Sequence, residues 1–95
     1  MIEENDIEYL YYKGKILNHL SQPSEAMLVI EQILGTGVKG EWKIKALYIM
    51  AKIRVKQKDF YEAYHTLNRL SDKIENNKVS SFKKLIEGVI LNINI

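Results

Sequence analysis

Residues Gly35-Thr36-Gly37-Val38-Lys39-Gly40 carry the spacing G-x-G-x-x-G, with which glycine-rich loops cradle phosphate groups. In a dinucleotide-binding or kinase fold such a loop follows a strand, and a kinase also needs a catalytic aspartate and metal-binding motifs. Residues 24–34 read better as a helix, and 95 residues leave no room for the rest of a kinase. The loop is therefore expected to be a helix C-cap and connector, because glycine tolerates the left-handed conformation there. His19 and His65 are the only histidines, and neither has a second strong ligand at metal-binding spacing. Both are expected on helix surfaces. Glu3, Glu4 and Asp6 suit the positive end of a helix dipole better than paired acid chemistry. No serine, histidine and acid arrangement is visible. These residues predict no catalysis, no cofactor and no metal.

Bulk properties narrow the classes further. A chain of 95 residues holds one domain with a modest core. Hydrophobic residues at 46% and charged residues at 27% match an ordinary globular protein. A net charge of +2 is too small to predict nucleic-acid binding by itself. The absence of cysteine excludes a disulfide framework and thiolate metal sites. The acidic start MIEENDIEYL lacks an apolar signal core, and no apolar run nears the roughly 20 residues of a membrane span. The expected location is intracellular, by default cytoplasmic.

With one proline and five glycines, the chain favours long helices. Apolar periodicity near 3.6 predicts five, giving an all-α fold. The first spans about residues 6–19, with Ile7, Leu10, Leu17 and Leu20 among its apolar positions. The second spans about 24–34, with Pro23 at its start and Ser21 or Ser24 as its cap. The third spans about 41–57, with Trp42 packing its start against a neighbour. The fourth follows Asp59 as N-cap and carries Ala63, Leu67, Leu70 and Ile74. The fifth spans about 78–92, with Val79, Phe82, Leu85, Ile86, Val89, Ile90 and Ile93 as its stripe. Short connections make neighbours antiparallel, so the order is hairpin, hairpin, single helix.

The two hairpins superpose in sequence. Leu10, Gly14, Ile16, Ala26, Ile30 and Ile33 fall on Leu47, Ala51, Ile53, Ala63, Leu67 and Leu70. The small pairs Gly14 with Ala26, and Ala51 with Ala63, let the helices of a hairpin approach closely. This pattern resembles the tetratricopeptide repeat, whose period is about 34 residues. One copy runs over about 7–40 and keeps the family glycine at Gly14. The other runs over about 44–77, where Lys58-Asp59-Phe60-Tyr61-Glu62-Ala63 looks like the family turn. The chain departs from the pattern at Lys13 and Met50 (family leucine), at Leu17 and Arg54 (family tyrosine), and in lacking the closing proline. The junction is also three residues longer.

The resemblance implies a short right-handed solenoid over residues 1–95, two repeats with the single helix of residues 78–93 as a cap. It implies a protein-interaction module, an adaptor or scaffold that binds a peptide in a concave groove. Carried over position by position, that groove comprises Glu8, Tyr11, Lys15, Asn18 and His19 of the first helix. Lys45, Tyr48, Lys52 and Lys56 of the third continue it, and Lys83 and Glu87 of the fifth join it if the register persists. Lysines beside tyrosine rings suit an acidic segment. The chaperone-clamp subtype is disfavoured, because its lysine and asparagine places hold Tyr11, Lys15 and Ile49.

The apolar last helix suggests either a missing next helix, if this is a fragment of a longer array, or a homo-oligomer formed through Phe82, Ile86, Val89, Ile90 and Ile93. Nucleic-acid or anionic-surface binding by the same lysines is the less favoured alternative.

Overall fold

The structure, a computed structural model, describes residues 4–71 and 77–93, with the side chains of Glu4, Ser71 and Ile93 outside that description. Five helices follow one another: α1 (Glu4–His19), α2 (Pro23–Gly35), α3 (Glu41–Lys56), α4 (Phe60–Ser71) and α5 (Asn77–Ile93). No strand occurs among the described residues, and no described helix is long and apolar enough to cross a membrane. Ile74, expected in α4, lies outside the described residues. Helices α1 and α2 pair, as do α3 and α4, and α5 packs on α4.

Both hairpins turn through the same hydrogen bonds. Ser21 adopts a left-handed φ of 62°, and Lys58 one of 61°. The Ser21 and Gln22 amides donate to Asn18 O and Leu17 O at 3.1 and 2.9 Å. The Lys58 and Asp59 amides repeat this on Val55 O and Arg54 O at 2.9 and 2.8 Å. Each turn thus satisfies the loose carbonyls of a helix end. Corresponding residues stand 37 apart, so the repeat seen in the apolar pattern is also a repeat of backbone geometry.

Helix starts differ. Asp59 caps α4 as expected, its Oδ1 accepting the Glu62 amide at 3.4 Å. At α2 the cap position is Gln22, with no side-chain cap bond, so neither Ser21 nor Ser24 is its cap. Pro23 starts that helix without one, since its missing N–H needs no acceptor.

The glycine loop is a connector. It follows helix α2, and the Thr36 Oγ1 donates to Ile33 O at 2.7 Å to close that helix. Gly37 and Gly40 hold φ of 76° and 69°, a region strained for other residues. Gly40 then takes the N-cap position of α3.

Burial follows the repeat. Gly14 meets α2 so closely that an added Cβ would lie 2.7 Å from Ile30 Cδ1. Ala51 and Ala63 are wholly buried, as are Ala26, Ile30, Ile33, Ile53 and Leu67. One equivalence fails. Ile53 is 0% exposed and its counterpart Ile16 is 58% exposed. Helix α3 has the first hairpin beside it to cover Ile53, whereas the described residues place no hairpin against the same face of α1.

The 37-residue interval also extends to α5, placing Gly88 in the register of Gly14 and Ala51. Open space lies over Gly88. The positions that carry Ile7 and Leu10, then Ile44 and Leu47, hold exposed Ser81 and Lys84 in α5. Ser81 and Lys84 make this face polar at two positions, beside exposed Leu91. The expected α5 self-association surface is correspondingly reduced. Ile86 is buried, Phe82 and Ile90 pack half-buried on the core, Val89 is exposed at 37%, and Ile93's side chain lies outside the description.

Candidate functional site

The first helices of successive units, α1, α3 and α5, present one side in common. Tyr11 and Lys15 of α1 share a depression of about 410 Å³ with Ile44, Lys45, Tyr48 and Lys52 of α3 and Lys78 and Val79 of α5. Toward the C-terminal end of α1, a second of about 450 Å³ brings Lys15 and His19 to Lys52 and Lys56. Toward α5, a third of about 560 Å³ joins Tyr48 and Lys52 to Phe82 and Leu85. Shared residues make the three one continuous open groove.

Aromatic rings hold the lysine heads in place. Lys52 Nζ lies 4.9 Å from the centre of the Tyr48 ring, Lys45 Nζ 4.7 Å from Trp42, and Lys15 Nζ 6.0 Å from Tyr11. Such contacts favour a cation over the negative face of a ring while leaving it outward donors. The rings are themselves braced edge to face, Tyr11 on Trp42 at 5.6 Å and Tyr48 on Phe82 at 5.8 Å. Trp42 thus packs the start of α3 against α1, as expected. The Lys45–Glu41 pair at 3.4 Å is exposed and contributes little.

Several expected groove residues have other roles. Asn18 is only 8% exposed, and its carbonyl accepts a 2.6 Å bond from Lys56 Nζ. Lys56 therefore ties the end of α1 to α3, with much of its charge directed at the negative end of the α1 dipole. Lys83 and Glu87 turn away from the groove. Lys83 Nζ lies 5.3 Å from the Tyr64 ring, and Tyr64 donates to Glu87 Oε1 at 3.0 Å. Their positions in α5 face α4. The register of the repeat instead carries Lys45, Tyr48 and Lys52 onto Phe82, Leu85 and Val89. Those apolar residues were assigned to self-association or to the stripe, and the 37-residue interval is the signal that identifies them. The groove is basic along α1 and α3, and α5 adds Lys78 beside the apolar Phe82 and Leu85.

Burial raises the Tyr11 phenol above its ordinary pKa of 10.0, against the opposite pull of Lys45. Tyr64 is raised too, chiefly by its bond to Glu87, since ionisation would lose that donor and set two anions together. A raised folded pKa leaves stability intact below the unfolded value of about 10 and erodes it as pH rises through the folded value. We therefore expect denaturant midpoints to fall above about pH 10. The Tyr11→Phe variant should show a shallower fall, and an unchanged slope would contradict this account of Tyr11.

In comparisons with known proteins, no family model, curated protein or solved structure matches this chain.

Proposed function

We propose that this protein is a non-catalytic, tetratricopeptide-like interaction module that holds an acidic peptide segment in the groove of α1, α3 and α5. The observation that carries the reading is the set of aromatic-braced lysines, Lys15, Lys45 and Lys52, spaced across adjacent helices on one open surface. Carboxylates lying along it gain charge-assisted hydrogen bonds, and Tyr11 and Tyr48 add apolar contact with polar tips. The shared turn geometry and the close Gly14–Ile30 approach support the family resemblance.

The same lysines would attract a polynucleotide, but Phe82 and Leu85 at the α5 end favour a protein segment over a phosphate backbone. Titration with a glutamate-rich peptide containing spaced leucines, followed by Trp42 fluorescence, tests the reading. We expect saturable binding that Lys15→Glu with Lys52→Glu weakens by about tenfold or more. Binding indifferent to that double change, or displaced equally by random polynucleotide, would remove the proposal.

A further inference from the structure

The outward face of α1 carries Tyr9, Tyr12, Ile16 and Leu20, all exposed. Three of these stand in the register of Ala46, Ile49 and Ile53, the α3 residues buried where the second hairpin meets the first. The face therefore occupies a packing position of the repeat, with apolar side chains on it. Its chemistry differs from that of α3. An alanine at 46 lets helix α2 come close, and Tyr9 in the same place holds any neighbour farther off. Exposed tyrosines among aliphatic residues are the composition of a protein–protein contact, large apolar area with a polar tip that tolerates water.

Charge identifies the neighbour. Glu8 and Lys15 are seven residues apart, two helical turns, and so lie on one flank of this stripe. An identical helix running antiparallel across the stripe sets Glu8 of each copy beside Lys15 of the other. Tyr12 then sits at the two-fold axis, and Tyr9 approaches Ile16 of the second copy. A parallel arrangement would put Glu8 and Lys15 of the two copies on opposite sides of the seam and form neither pair. Lys13 reinforces the surface, with its Nζ 6.0 Å from the centre of the Tyr9 ring.

We propose that this face is where a second copy of the chain docks, the two α1 helices packed antiparallel about Tyr12. The contact is isologous, so it closes at two copies and leaves no growing end. Tyr12, Lys15 and Ile16 also line the α1 end of the groove, so docking would cover that end.

Sedimentation equilibrium of the full chain over a wide concentration range tests it. The expected mass rises from that of one chain to that of two. Ile16→Glu should hold the protein monomeric with unchanged helical circular dichroism, since the residue is exposed. Glu8→Lys should raise the dimer dissociation constant by about tenfold, because two repulsive pairs replace two attractive ones. Combining Glu8→Lys with Lys15→Glu should restore it. A single-chain mass into the millimolar range, a dimer that Ile16→Glu leaves intact, or a double variant that fails to recover would each overturn the proposal.

Discussion

Replacing Leu67 with alanine is expected to destabilise the fold by about 2–5 kcal/mol, the range for emptying a packed leucine site. Leu67 is 0% exposed on α4 and belongs to the core that also contains Leu47, Ala51 and Leu70. The loss combines the transfer free energy of the removed carbons with the cost of a cavity that fully buried neighbours cannot close. Domains of this kind are stable by roughly 5–15 kcal/mol, so one such change removes a large fraction. Urea denaturation should show a lower midpoint with an unaltered slope. Leu85→Ala provides the contrast. Leu85 is 71% exposed, and its change should fall within about 0.5 kcal/mol of the parent. Equal effects at the two leucines would mean that the assigned packing of α4 and α5 is wrong.

The second large effect concerns glycines in equivalent positions. At Gly14 an added Cβ would meet Ile30 Cδ1 at 2.7 Å and Cγ1 at 3.1 Å. Ile30 is wholly buried, so its side chain has little room to yield. Gly14→Val should cost about 1–3 kcal/mol through overpacking, more than any helix-propensity gain over glycine returns. At Gly88 nothing among the described residues stands within 4 Å of such a Cβ. Gly88→Ala should therefore stabilise by about 0.8–1.0 kcal/mol, the propensity difference in a helix interior. Thermal unfolding of both variants gives the signs directly. Destabilisation by Gly88→Ala would show that α5 has a close neighbour at that point.

Those opposite signs explain what sequence reading can and cannot recover. Apolar spacing locates helices because each needs a continuous stripe, and α1, α2, α3 and α5 begin and end within two residues of expectation. The spacing does not say which neighbour a stripe meets. Ile16 and Ile53 look alike in the chain, and only the presence of a hairpin beside α3 buries one of them. Asn18 lines the groove as the resemblance implies, but the spacing does not say that it is almost wholly buried there, its backbone carbonyl held by Lys56. Lys83 and Glu87 depend on the register persisting into α5, and the 37-residue interval assigns their places to contact with α4 instead. Glycine chemistry was more informative at the connector, where Gly37 and Gly40 adopt the left-handed φ that their residue type permits.

Ser81 and Lys84 on α5 have a consequence for anyone extending the protein. Copies of the 37-residue unit inserted between α2 and α3 would meet aliphatic partners on both sides and lengthen the array. Grafted after α5, the same unit would press its new second helix onto a hydroxyl and an ammonium that would lose water without gaining partners. Making both side chains aliphatic should strengthen the packing of such a helix on α5.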